Sequence, residues 1–360
     1  MIISVINSTE TYWLPIYSLN DKMHRTPLFP VLLLIQLSIY VSTGYVIIRT
    51  CSIFLSIKVF HENMNILMAW FLFQWFESIL AKLFIIPYQL GLILIDQRAP
   101  ERTFYSWWTD NQEEMVRVGE GKETLPLYFA GLVLWHYIYS MIFAIVIVGL
   151  ERVAATFFIQ DYESVPRRHI PVILIVLTNL ITFPYAYYIT NNRIPFLIAY
   201  FQCFLNASVC FLGYFALWRV NLILRNRMEK GNDNEKYTLA RKFQVEENIR
   251  SLKMAKKVVF ATVAYLSVSL IVLILLVTRA FQGYEQLSGH LLDNTIFGAA
   301  PVISITLLFC SPTWKDSFFS QLPLIKNYRN PRVSFTNFQS IDSKLSESEA
   351  HFTQLRNSWV

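Results

Sequence analysis

Few residues in this chain could do chemistry, and those that could are set in apolar surroundings. Glu151-Arg152, in the run Gly149-Leu150-Glu151-Arg152-Val153-Ala154-Ala155-Thr156, places an acid beside a guanidinium at the end of an apolar stretch. A carboxylate there can hold the arginine at rest and release it when neighbouring helices part. Glu77 and Lys82 fall inside a second apolar stretch. Ionisable groups are costly in such a setting and are functional candidates by default. Five residues apart, they point about 140° away from each other around a helix, so no direct pair is expected. Glu77 is expected to face neighbouring helices, and Lys82 to snorkel or to face a cavity. A third run, Trp135-His136-Tyr137-Ile138-Tyr139, puts Trp135 and Tyr139 one turn apart with His136 between them. Glu77, Lys82, Trp135, His136 and Tyr139 are the candidate lining of a small-molecule pocket.

Catalytic chemistry finds no support. His61-Glu62-Asn63-Met64-Asn65 lacks the second histidine of a zinc-protease helix. There is no phosphate-cradling glycine loop, no Cys/His metal spacing and no pair of carboxylates placed for acid-base work. We expect neither an enzyme nor a cofactor nor a bound metal. Cys51, Cys203, Cys210 and Cys310 all sit in or beside apolar stretches and read as small buried hydrophobes.

The elements that must carry these residues are seven apolar stretches, near residues 28–55, 66–95, 126–150, 170–190, 195–218, 258–280 and 294–313. About 20 apolar residues span a bilayer as a helix. With 54% of the chain hydrophobic and 16% charged, a soluble domain of 360 residues is excluded. The expected fold is an all-α membrane protein, a bundle of seven transmembrane helices in the lipid bilayer. Prolines 87, 184 and 301 fall inside crossings and are candidate bends. No inverted internal repeat is visible, which argues against a transporter.

Loop charges give direction. The loops after crossings one, three and five and the C-terminal tail hold 21 Lys and Arg; the N-terminal segment and the other loops hold 8. The positive-inside rule then places the N-terminus outside and the C-terminus inside. The net charge of +6 follows from this asymmetry and does not imply nucleic-acid binding. Asn7-Ser8-Thr9 is a glycosylation sequon in the outer segment, whereas Asn206-Ala207-Ser208 lies inside crossing five. No cleavable signal is apparent before residue 28, so crossing one is expected to act as its own signal anchor.

The domains follow: residues 1–27 form an outer segment, 28–313 the bundle, 314–330 an amphipathic juxtamembrane segment and 331–360 a disordered inner tail. The outer loop at 96–125, with Trp107, Trp108 and Met115, could fold over the bundle mouth. The inner loop at 219–257 carries 11 bases against five acids. There Val245, Ile249, Leu252, Val259 and Val263 share a helical face, so crossing six should continue well past the membrane. After Pro312, residues Trp314, Phe318, Phe319 and Leu322 share one side of a short helix suited to a membrane surface. Ser334, Thr336, Ser340, Ser343, Ser346 and Ser348 offer phosphorylation sites in the tail, where a kinase and then an arrestin-like desensitising partner could act.

The run Lys236-Tyr237-Thr238-Leu239-Ala240-Arg241-Lys242-Phe243-Gln244-Val245-Glu246-Glu247-Asn248-Ile249-Arg250-Ser251-Leu252 resembles the signature of nematode serpentine receptors of class epsilon, the Sre family. Glu151-Arg152 with Ala155-Thr156, His61-Glu62-Asn63, and Pro312 with Trp314 are similar to that family too. The resemblance covers about residues 30–325. It implies a G-protein-coupled chemoreceptor in a plasma or ciliary membrane of a sensory neuron. The partners would be an unknown small molecule and a heterotrimeric G protein, with Glu151, Arg152, Arg241, Lys242 and Arg250 at the coupling face. On this reading Arg152→Ala would spare surface expression and abolish signalling. The chain departs from the wider rhodopsin-like pattern. Crossing seven has Ala300-Pro301-Val302-Ile303 in place of Asn-Pro-x-x-Tyr, Val153 follows Glu-Arg, and crossing six has no proline. The rival readings are a seven-helix ligand-gated cation channel subunit, which would need its N-terminus inside, and a small-molecule transporter.

Overall fold

A computed structural model describes residues 1–6, 9–20, 26–95, 104–105, 109, 111–113, 115–118, 124–159, 162, 167–229, 239–277 and 285–320. Seven spans of sufficient length and apolarity are present among them. The first is α1 (Phe29–Ser56). The second is made of α2 (Glu62–Phe73) and α3 (Trp75–Gln89). Then come α4 (Leu125–Phe157), α5 (His169–Thr190), α6 (Phe196–Glu229), α7 (Leu239–Val277) and α8 (Glu285–Cys310). A short α9 (Pro312–Ser320) follows. Large apolar side chains such as Leu34, Val41, Phe211 and Phe260 point outward from the bundle. They are the residues that hydrocarbon, unlike water, accepts.

α4 sits centrally, touching α2, α3, α5, α6 and α7, while α8 joins α7 to α1. At 33 residues α4 is about 50 Å long, and α7 at 39 residues is about 58 Å, so both outrun a ~30 Å hydrocarbon core. The extension expected for crossing six is therefore present. Val245, Ile249 and Leu252 are buried along it, but Val263 is 55% exposed. The face continues in sequence, yet beyond the inner end it turns toward lipid.

Two expected boundaries move. Crossing two begins earlier and ends earlier than 66–95, because Gly91 terminates it. Gly91 has φ +67, its N–H donates to Tyr88 O and the Leu92 N–H donates to Pro87 O. This is a left-handed cap that favours glycine. Gln74 briefly interrupts the span, and its side chain donates to Ser140 Oγ at 3.3 Å. Crossing seven starts nine residues before the expected 294, which brings Asp293 into the helix. The short link after α5 is closed in the same way as α3, with Asn192 at φ 51 and Arg193 N–H on Tyr188 O.

The N-terminal segment is folded, beyond what its sequence suggested. β1 (Ile2–Val5) pairs antiparallel with β2 (Thr11–Trp13) and parallel with β5 (Val116–Val118) from the loop after α3. β3 (Ser18–Leu19) pairs with β4 (Phe104–Tyr105). Met1, Ile3, Leu14, Ile16, Val116 and Val118 pack on Ala81, Ile85, Leu127, Ala130 and Leu134 of the bundle. A cap of strands therefore closes the end of the bundle where the chain begins. Leu14 comes so close to α4 that a Cβ on Gly131 would lie 2.4 Å from its Cδ2.

At the opposite end α9 folds back. Trp314 is fully buried, donates to Ile57 O at 3.2 Å and packs on Phe54 and Phe60 with ring centroids 4.4 and 5.4 Å away. Phe318 adds to the same core. The sequon at Asn7, Trp107 and Trp108, residues 230–238 and all tail positions after 320 lie outside the described residues.

Candidate functional site

Two polar clusters lie at opposite ends of the bundle. The first is built on Arg152, in the last turns of α4. Its Nε and Nη2 reach the two carboxylate oxygens of Glu151 at 2.5 and 2.6 Å. Its Nη1 reaches Glu247 Oε1 of α7 at 3.2 Å and Asn248 Oδ1 at 3.3 Å. Arg152 and Glu151 are both buried. Bidentate and charge-assisted, these are the stronger kind of polar contact.

Four elements converge on that arginine. Tyr162, after α4, donates to Glu151 Oε1 at 2.7 Å, and Asn63 of α2 donates to the Tyr162 hydroxyl at 2.9 Å. Burial and the Glu151 carboxylate push the Tyr162 hydroxyl well above its ordinary range, so it remains a donor. The His61 N–H donates to Glu247 Oε1 at 2.8 Å, and its ring packs on Tyr162 at 4.3 Å. Burial holds the His61 imidazole below its ordinary value, against the pull of Glu151 and Glu247. Asn248 extends the network to Thr156 of α4 and Asn221 of α6, each at 3.1 Å.

The second cluster lies under the strand cap. Lys82 of α3 donates to Gln89 Oε1 at 2.7 Å and stands 3.9 Å from Asp293 Oδ2 of α8. Gln89 donates to the same carboxylate. From the cap, the Tyr17 N–H donates to Asp293 Oδ1 at 3.0 Å and Ser18 Oγ to Oδ2 at 3.4 Å. Lys82, Gln89 and Asp293 are all buried.

Each expected site residue now has a place. Glu77 and Lys82 do not pair with each other; both have other partners. Glu77 takes His136 Nδ1 at 2.6 Å and remains about a third exposed, at the rim of α3, α4 and α5 and not fully inside. His136 Nε2 faces Asn179 Oδ1 at 3.1 Å. Lys82 does not snorkel, since its ammonium is buried in the second cluster. Trp135 and Tyr139 are buried in an aromatic cluster. Trp135 donates to Trp13 O at 2.8 Å and Tyr139 stacks edgewise on Tyr185 at 4.4 Å. Of the basic coupling candidates, Lys242 and Arg250 are exposed, whereas Arg241 is buried against the bundle. Sequence reasoning missed Asp293, Gln89 and Tyr162. Glu247 and Asn248 lay within the recognised run, but no role was assigned to them.

Three of the stretches that carried the resemblance, those holding Glu151-Arg152, Glu247-Asn248 and His61 with Asn63, therefore meet around Arg152. The family model for Sre G protein-coupled chemoreceptors matches residues 1–360. The chain belongs to the Sre family. It is 50% identical to serpentine receptor class epsilon-37 of Caenorhabditis elegans, with all of both chains covered. It is 39% identical to class epsilon-38 of the same organism over 98% of this chain and 99% of that one. A third relative, class epsilon-33, is 27% identical over the whole of both. This Sre chain is thus a multi-pass membrane protein of a receptor family rather than an enzyme family. That membership does not favour the channel and transporter readings.

Proposed function

We propose that this Sre receptor detects a small molecule in the half of the bundle nearest the strand cap and passes the signal to a heterotrimeric G protein at the Arg152 end. One observation carries the reading: Arg152 of α4 binds its own neighbour Glu151 and also Glu247 of α7, so α4 and α7 are tied together. Parting those helices breaks the Glu247 contact but not the Glu151 contact. The arginine then has an open coordination site that a partner can use. A ligand moves this equilibrium only by binding the parted state more tightly than the tied one.

Lys242 and Arg250 are exposed on the same helix and supply positive charge beside the opening. Arg241 joins them if α7 moves, since burial holds it in the tied state. The asymmetry of the loop charges supports putting this end in the cytoplasm and the cap outside. Phosphorylation of the serine-rich tail, with capture of an arrestin-like partner, would end the signal in a sensory-neuron membrane. The test is nucleotide exchange on purified heterotrimeric G proteins added to membranes holding the full chain or its Glu247→Gln variant. Faster exchange with the variant supports the reading. Equal exchange across all G-protein classes tried rejects it.

A further inference from the structure

Asp293 has three hydrogen-bond donors and one ion-pair partner, and two of the donors belong to the cap. Lys82 and Gln89 reach it from α3, while Tyr17 N–H and Ser18 hydroxyl reach it from the strand segment. Pro15 and Ile16 cover a cavity of about 10 Å³ beside this carboxylate, walled by Ile85, Leu134, Ile296 and Phe297. That is room for about one water molecule, so a ligand fits only when the cap segment lifts. Lifting removes two hydrogen-bond donors from a buried carboxylate, and the newcomer must replace at least the shorter of them, the Tyr17 N–H. Lys82 and Asp293 already cancel each other's charge. A charged newcomer would leave net charge in a site of low dielectric, which is strongly unfavourable.

Resting on the receptor reading above, we propose that this space is the ligand site and that residues 15–18 are its lid. Its ligand is a small uncharged molecule with an apolar body and a hydroxyl or amide N–H. That donor takes the place of the Tyr17 N–H on Asp293. The ligand thus sits among α3, α4 and α8, beneath Ile16.

Ile16 is 1% exposed and reports the lid. The full chain carrying Ile16→Cys, in lipid nanodiscs, is treated with a bulky maleimide, and labelling by the parent chain's own cysteines is subtracted. Four probes of one length are compared: 1-hexanol, hexyl methyl ether, hexylammonium and hexanoate. Labelling is expected to rise roughly tenfold with 1-hexanol and to stay at baseline with the ether and both ions. In the Asp293→Asn background Lys82 loses its counter-charge, and hexanoate becomes the effective probe instead. Pro15→Cys repeats the measurement if Ile16→Cys fails to fold. Equal labelling with alcohol and ether, no response to any probe, or an unchanged order in Asp293→Asn overturns the proposal. G-protein exchange by Glu247→Gln is independent of the lid. Raised exchange without probe-dependent labelling leaves the receptor reading standing and removes this site. Labelling in the expected order without raised exchange does the reverse.

Discussion

Replacing Glu247 with glutamine tests the tie between α4 and α7 most directly. The side chain keeps its shape and one oxygen acceptor, and loses its charge. Two contacts weaken: Arg152 Nη1 at 3.2 Å and the His61 N–H at 2.8 Å. Hydrogen bonds involving an ionised group contribute about 1.5–3 kcal/mol, and neutral ones about half of that. The tied state should lose about 1–2 kcal/mol relative to a state in which neither contact is made. Arg152 keeps Glu151, so no buried cation is left bare and the fold survives. At ~1.4 kcal/mol per factor of ten, the parted population rises roughly 5- to 30-fold. In cells expressing the full chain, basal second-messenger output per surface copy should rise in proportion while the parted state stays a minority. Glu246→Gln is the control, because Glu246 is half-exposed and its Arg225 partner is 3.6 Å away. No rise for Glu247→Gln at equal surface amount would refute the reasoning, as would an equal rise for the control.

Arg152→Ala now has a different expected outcome from the one its sequence suggested. It strips Glu151 of its cation inside the protein, at a cost of about 3–5 kcal/mol, so the surface amount should fall. Adding Glu151→Gln should restore it; a double variant no better than the single one would contradict this. Trp314→Ala removes a fully buried indole that joins α9 to Phe54 and Phe60. A loss of about 3–5 kcal/mol should show as a clear drop in the melting temperature of the purified chain, and an unchanged melt would count against the α9 contact. Because His61 resists protonation when folded, the unfolded chain binds more protons as pH falls through about 6.5. The stability this group contributes is complete above that pH and is lost below it. His61→Asn keeps a cap acceptor for the Asn63 N–H and should flatten this part of the melting profile between about pH 7 and pH 5.5. An unaltered slope would place the pH dependence elsewhere.

The seven spans were legible because each is a long local run of apolar residues, and local runs need no partner to be recognised. The extension of α7 was legible for the same reason, through Val245, Ile249 and Leu252. Glu151-Arg152 stood out because of where it falls, at the end of the third of seven crossings; an isolated acid and arginine there would read as an ordinary charged helix end. What was hidden depends on distant partners. The pairing of Ile3 with Val116 joins segments more than a hundred residues apart, and strands this short carry no periodic signal. Asp293 looked like a loop residue because the apolar stretch begins just after it. Its value comes from Lys82 and Tyr17, which lie far away in sequence. The aromatic residues Trp135 and Tyr139 suit a pocket and a packed core equally well, and their ring partners Trp13 and Tyr185 are distant in sequence and could not be read from it.

α4 runs without an internal proline from Trp135, where the cap touches it, to Arg152, where α7 does. Their separation of 17 positions spans about 25 Å, with the backbone bonded throughout. Such a segment behaves as a stiff rod: it can slide, tilt or roll as one body, but it absorbs little by shortening. On the reading proposed above, a sideways push at the tryptophan would reach the guanidinium through this one element. The receptor thus needs no relay of individual side chains through the bilayer; one rigid lever, held at both ends by contacts of moderate strength, spans the distance.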